Sequence, residues 1–200
     1  TIGLSLGTGG LTKDGLGILT LTSANSFTGA TLISAGTLTA ASGALAGTSG
    51  ITVNGATLTA VNVNAAATLT LNATGLATIS AVDQTVGAVT NANATDANAL
   101  NFTASTGTVT LASLSGAGKT TFGSAATITG GVSTGVINVT GLLTAAVSGG
   151  TVNAGSMTGA VSSSVTVTGL LTGAITAGTN ALGSLSSSSV TGGTNTITGA

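Results

Sequence analysis

Short runs in which a hydroxyl-bearing residue alternates with an aliphatic one recur along this chain about every twenty residues. The segments at 57–59 (TLT) and 164–168 (SVTVT) are typical. Alternation with a period of two places the aliphatic side chains on one face of a β-strand and the hydroxyls on the other. Gly and Asn lie between the runs, where a tight corner needs residues that tolerate a positive φ. The apolar centres of the first runs fall at Leu19, Leu38, Leu58, Ile79 and Leu100.

This period predicts an all-β fold, a parallel β-helix (β-solenoid) with coils of about twenty residues. A single coil is too short to bury its apolar face alone, so the stacking of neighbouring coils supplies the core. Leu19, Leu38, Leu58 and Ile79 are therefore expected to be core residues. We expect residues 1–200 to form a single β-solenoid, a segment of a longer surface protein. About ten coils would make a rod roughly 50 Å long.

Two stretches depart from the regular pattern. Residues 84–100 contain several Ala and are predicted to form a short helix or an irregular loop. The sequence VTGLLT at 139–144 recurs at 167–172, a shift of 28 residues. Because this shift exceeds the usual period, we expect the C-terminal coils to be longer or to carry a loop.

Ionised side chains are almost absent, which excludes several classes of function. The 200 residues hold two Lys or Arg, three Asp or Glu and no His or Cys, for a net charge of −1. Two distant lysines cannot form a basic groove, so nucleic-acid binding is excluded. Polar residues or Gly interrupt every apolar stretch, so no membrane-spanning segment is predicted. We expect no catalytic residue, no cofactor and no metal, because three scattered Asp cannot supply a repeated calcium site.

The segment at 116–120 (GAGKT) is similar to a phosphate-binding loop, in which a Lys contacts the phosphates. The full motif needs a Gly five residues before the Gly-Lys pair, and Ser113 occupies that position. No Asp follows Lys119 to hold magnesium. We therefore interpret Lys119 as a solvated lysine at a corner of a coil.

Asp83 and Asp96 raise the alternative of a polysaccharide-active enzyme, because glycoside hydrolysis uses a pair of carboxylates. Only the analogy between folds supports this alternative. Such a site also needs further charged groups for substrate binding, and the chain has almost none. Solvated aspartates in loops are the better interpretation.

Thr-x-Thr triplets, such as those that begin at Thr37, Thr57, Thr127 and Thr166, raise the alternative of an ice-binding β-solenoid. In such a protein a flat ladder of outward hydroxyls organises water. Alternating strands rich in Thr produce these triplets in any case. Counted along the sequence, their phase slips and skips coils, so ice binding remains an alternative and not the leading prediction.

The segment at 9–21 (GGLTKDGLGILTL), followed by 24–29 (ANSFTG) and 34–38 (SAGTL), resembles the passenger-associated repeat of bacterial autotransporters. The resemblance implies a right-handed parallel β-helix displayed outside a Gram-negative cell as an adhesin, a coat or a stalk. It also implies roles for five residues. These are Asn25, Gly29 and Gly36 at structural corners, and Phe27 and Leu38 pointing inward.

Together these observations predict a non-enzymatic bacterial surface protein, a β-solenoid stalk, adhesin or self-assembling filament or coat segment. Terminal coils expose unpaired strand edges that template another chain, and charged residues that block such pairing are nearly absent. End-to-end or lateral self-association is therefore the expected partnership, together with contact with a host or neighbouring cell. The expected location is extracellular, on the bacterial cell surface.

Overall fold

In the computed structural model the backbone winds into coils that stack with their aliphatic side chains inward. The structure describes residues 8–72, 74–104, 106–186 and 189–199. Within these residues the solenoid has about 10 turns, about 18 residues per coil, and no helix. The predicted all-β, parallel β-solenoid fold is therefore confirmed.

Eighteen strands, counted within the described residues, form one parallel sheet in which each strand pairs with strands of the preceding and following coils. They are short because each crosses only one or two sides of a coil. The strands are β1 (Leu11–Lys13), β2 (Ile18–Leu21), β3 (Thr31–Ile33), β4 (Thr37–Ala40), β5 (Gly50–Val53), β6 (Thr57–Ala60), β7 (Thr68–Leu71), β8 (Leu76–Ile79), β9 (Thr85–Asn91), β10 (Leu100–Phe102), β11 (Thr108–Ser115), β12 (Lys119–Phe122), β13 (Ala125–Val132), β14 (Val136–Val147), β15 (Thr151–Thr158), β16 (Ser164–Thr172), β17 (Thr179–Ser186) and β18 (Thr194–Ile197).

The pairings arrange these strands in three columns along the solenoid. Column I contains β1, β3, β5 and β7 and the last residues of β9, β11, β13 and β14, and it continues as isolated bridges. Column II contains β2, β4, β6, β8, β10 and β12, then the first residues of β14 to β17, and finally β18. Column III begins with the first residues of β9 and runs through β11 and β13 to later residues of β14 to β17.

Before β9, turns and irregular backbone form the third side of each coil, where column III runs later. Phe27, Leu45 and Val63 lie in these irregular segments and are buried. The third side therefore contributes to the core even where it has no strand. It uses more residues than a strand would, and this lengthens the early coils.

The coils of the C-terminal part are shorter than those of the first half of the chain. Leu38 pairs with Leu58, twenty residues later. In the C-terminal part Val139 pairs with Ala154 and Ala154 with Val167, which are steps of fifteen and thirteen residues. The VTGLLT repeat therefore spans two short coils. The expectation of longer C-terminal coils was wrong, because a strand replaces the irregular third side and crosses it in fewer residues.

The stretch at 84–100 contains a strand and no helix. β9 covers Thr85–Asn91, and an irregular corner follows until β10 begins at Leu100. Val86 and Val89 point into the core and pair with residues of β11. The prediction of a short helix was wrong, because pairing between strands of neighbouring coils outweighs the helix propensity of Ala. The alternative prediction of an irregular loop is met by residues 92–99.

The core is a set of side-chain stacks that run through successive coils. Phe27, Leu38, Leu58 and Ile79 are buried in it, and Leu19 is partly buried and packs against it. Phe102 and Phe122 occupy matching positions of β10 and β12, and their rings stack with centroids 5.1 Å apart. The two rings are the largest pair of stacked side chains in this part of the core.

Replacing Phe122 with Ala should lower the free energy of unfolding by about 3 to 5 kcal/mol, because it removes a buried ring and leaves a cavity beside Phe102. Leu16 is 91% exposed, so Leu16→Ala is a control that should change stability by no more than about 0.5 kcal/mol. Chemical denaturation followed by circular dichroism measures both. Equal effects of the two substitutions would contradict the burial of Phe122.

Candidate functional site

The outward side of column III carries one hydroxyl in each of seven successive coils. The pairing register places these residues directly above one another. Neighbouring hydroxyls are therefore roughly 4.8 Å apart along the solenoid. We call this row the free ladder, and it consists of Thr85, Thr110, Thr127, Thr144, Thr158, Thr172 and Ser186.

The hydroxyls of the free ladder form no hydrogen bond with any residue that the structure describes. Thr144, Thr158 and Thr172 are also exposed. A hydroxyl offers one donor and two acceptor sites. The free ladder therefore presents its full hydrogen-bonding capacity to solvent or to a bound surface.

Three hydroxyls in the C-terminal part of column I are bonded to the main chain. Ser148 Oγ donates to the main-chain oxygen of Val132 at 3.1 Å, and Ser162 Oγ donates to that of Val147 at 3.3 Å. Thr176 Oγ1 bonds to Val161 in the same way at 3.3 Å. In each pair the same oxygen also accepts the main-chain N–H of the Ser or Thr. These bonded hydroxyls therefore tie each coil to the preceding one.

The outward row of column II is mixed. It begins with four stacked threonines and continues with Asn and Thr, and Asn153 Nδ2 donates to Asn138 Oδ1 at 2.9 Å. A shallow depression of about 250 Å³ runs along the first coils beside the Thr row, and another of about 280 Å³ lies beside Asn138 and Asn153. Both are open surface troughs and neither is lined by a charged residue. The four stacked threonines are Thr20, Thr39, Thr59 and Thr78.

The register revises the interpretation of the Thr-x-Thr triplets. Thr37 and Thr57 are stacked neighbours in column II, whereas Thr127 belongs to column III. The triplets thus lie on different faces. A count along the sequence mixes these faces and treats coils of unequal length as equal, so it misses the unbroken free ladder.

The structure does not bring Asp83 and Asp96 together. Asp83 precedes β9 and Asp96 follows it, so the two carboxylates lie at different corners of the coil. Asp83 Oδ1 accepts the main-chain N–H of Thr108 at 2.8 Å, and Asp96 Oδ2 accepts a hydrogen bond from Asn93 at 2.8 Å. Each carboxylate therefore has a structural partner at its own corner.

The GAGKT segment forms a corner that leads into a strand. Lys119 is the first residue of β12, whereas a phosphate-binding loop leads into a helix. Gly118 packs so closely on Asn91 that an added Cβ would lie 2.3 Å from Asn91 Oδ1. The glycines of this segment therefore serve the packing of two coils.

The residues assigned to corners lie between strands. Asn25 and Gly29 are in the segment between β2 and β3, and Gly36 lies between β3 and β4 with a φ of 67°. Asn25 Nδ2 bridges two coils by donating to Ser23 and Ala44 oxygens at 3.0 and 3.3 Å. An added Cβ at Gly29 would lie 2.6 Å from Gly10 N, so only Gly fits there.

Lys13 is buried at the inward end of β1, a position that sequence reasoning did not single out. Its Nζ donates to three main-chain oxygens, those of Asp14, Gly15 and Ala35, at 3.0, 2.6 and 3.0 Å.

Among the described residues, no group of three or more Asp, Glu, His or Cys is placed to hold a metal ion. The same residues include no helix long and apolar enough to cross a membrane.

The comparison with protein families gives one match. Residues 11–40 match the family described as passenger-associated-transport-repeat. These residues form β1 to β4, and the β-solenoid fold fits such a repeat. The resemblance inferred from the sequence is thereby confirmed for this segment. Neither the curated proteins nor the solved structures give a match.

Two threonines of neighbouring segments offer a matched test of the two kinds of hydroxyl. Thr176→Val removes the bond to Val161 and should cost about 0.5 to 1.5 kcal/mol of unfolding free energy. Thr172→Val removes a hydroxyl of the free ladder and should change stability by less than about 0.5 kcal/mol. Urea denaturation measures both, and a larger loss for Thr172→Val would contradict the distinction.

Proposed function

Because residues 11–40 carry a passenger-associated-transport repeat within a β-solenoid, we propose that this chain is a structural passenger element on the outside of a bacterial cell. In this role the stacked coils supply reach and resistance to proteases, and the outer faces supply adhesion or assembly. The observation that carries the proposal is that the matched repeat coincides with β1 to β4, four strands of the parallel β-solenoid. No enzymatic step is needed.

The composition of the outer faces supports contact with another surface or with another copy. The chain has a net charge of −1, so two copies repel each other little. Leu142 and Leu170 are 42% and 43% exposed in column III, beside the free ladder. Aliphatic side chains between neutral hydroxyls gain free energy when they are covered. Lateral association of solenoids is thus the form of self-assembly that the faces favour.

The test is to express the chain with its native flanking sequence in a Gram-negative host and to treat intact cells with proteinase K. Surface display predicts that an epitope tag inserted at the exposed residue Leu16 is cleaved on intact cells, while a periplasmic control protein survives. Negative-stain microscopy of the purified chain should show rods or fibres. An uncleaved tag would contradict surface display, and round particles would contradict the rod.

The free ladder favours ice binding as a second candidate function. Its hydroxyls repeat once per coil, are unbonded within the described chain, and include no charged residue. An uncharged, regularly spaced array of hydroxyls and methyl groups is suited to ordering water. Column III offers the longest such row, because the stacked threonines of column II number four and give way to a row that contains Asn.

If the free ladder binds ice, the purified chain should show thermal hysteresis and inhibit ice recrystallisation. Thr144→Lys should abolish both effects, because it places a charge in the middle of the ladder. Thr12→Lys, an exposed column I substitution, is the matched control and should retain both. The absence of thermal hysteresis in the unsubstituted chain would remove this second candidate.

A further inference from the structure

Most of the solenoid is so repetitive that its strands could pair in more than one register. β4 and β6 have the same sequence, TLTA, and VTGLLT occurs twice in the C-terminal part. Inward positions hold aliphatic residues and outward positions hold hydroxyls in nearly every coil. Moving a strand by one whole coil preserves this pattern, so the pattern specifies register weakly.

At the corner after β9, two neighbouring buried amides, Asn91 and Asn93, break the repetition. Asn91 is the last residue of β9 and follows Val53 and Leu71 in the same inward stack of column I. It is fully buried. Its Nδ2 donates to the main-chain oxygen of Lys119 at 2.8 Å and to Thr120 Oγ1 at 3.3 Å. Asn91 is therefore bonded to the following coil.

Asn93 extends the group towards the preceding coil. It is also fully buried, and its Nδ2 donates to the main-chain oxygen of Gly75 at 2.9 Å. Its Oδ1 accepts the main-chain N–H groups of Thr95 and Asp96, both at 3.2 Å. Asn91 Oδ1 accepts the N–H of Asn93 at 3.2 Å. The two amides thus connect three successive coils at the same corner.

The corner above Asn91 is shaped for this side chain. Gly118 N donates to the main-chain oxygen of Asn91 at 2.7 Å. A Cβ on Gly118 would lie 2.3 Å from Asn91 Oδ1, and one on Gly116 would lie 2.3 Å from the main-chain oxygen of Asn91. Any other coil placed against β9 would bring different residues to this corner.

We propose that Asn91 and Asn93 form a register lock, which fixes how the coils before β9 stack on the coils after β10. A shift by one coil keeps the aliphatic stacks filled, but it separates both amides from their partners. Buried amides without hydrogen bonds are strongly unfavourable. A buried Asn that selects one pairing among several is a known use of polar groups in apolar cores. The lock acts in folding, whatever the solenoid binds.

Disulfide trapping tests the register directly, because the chain has no Cys. Thr78 pairs with Asn101, and Asn101 with Thr121, all on the outward side of column II. A Thr78→Cys/Asn101→Cys pair should therefore form a disulfide. A Thr78→Cys/Thr121→Cys pair lies two coils apart, roughly 10 Å, which is too far unless the register has shifted by one coil.

In the Asn91→Leu/Asn93→Leu background, the Thr78→Cys/Thr121→Cys disulfide should rise at least tenfold, and the Thr78→Cys/Asn101→Cys disulfide should fall. Asn180→Leu, which replaces a buried amide outside the lock, is the matched control and should leave both yields unchanged. Native yields for both pairs in the double variant would overturn the proposal. If the Asn91→Leu/Asn93→Leu variant does not fold, both cysteine pairs are tested in the Asn93→Leu single variant. Native disulfide yields in that single variant would also overturn the register lock.

Discussion

The hydrogen bonds between consecutive coils are the interaction on which the rest of this structure depends. Each strand is too short to be stable alone, and each finds its partners one coil away. Stacking places aliphatic residues of one coil above aliphatic residues of the next, and these form the core. It places hydroxyl-bearing residues above one another on the outside, and these form the rows of hydroxyls. Because the main chain and the apolar stacks supply the stability, the solenoid needs no disulfide.

The same stacking gives hydroxyls two distinct uses. At Ser148, Ser162 and Thr176 in the C-terminal part of column I, the hydroxyl bonds to the preceding coil and strengthens the stack. In the free ladder the hydroxyls have no such partner among the described residues and face outward. A chain that is nearly free of charge can thus hold itself together on one side and offer an interaction surface on another.

Alternation and the passenger repeat were enough to predict the fold, because both follow from local spacing. The register could not be predicted, since the steps between ladder threonines fall from 25 residues, between Thr85 and Thr110, to 14, between Thr158 and Thr172. A fixed period of twenty therefore hides the ladder. Asn91 and Asn93 could have been suspected as amides within an apolar pattern, but their partners Gly75 and Lys119 become neighbours only in the folded solenoid.

The central claim is that shortened coils stack in the register described for the C-terminal part. Its most direct test is a pair of cysteines at Thr144 and Thr158, fourteen residues apart and paired in column III. Parallel neighbours lie about 4.8 Å apart, within reach of a disulfide. We predict that Thr144→Cys/Thr158→Cys forms a disulfide on mild oxidation, whereas Thr144→Cys/Ser164→Cys, twenty residues apart, does not. The reverse result would contradict the shortened coil and the free ladder built on it.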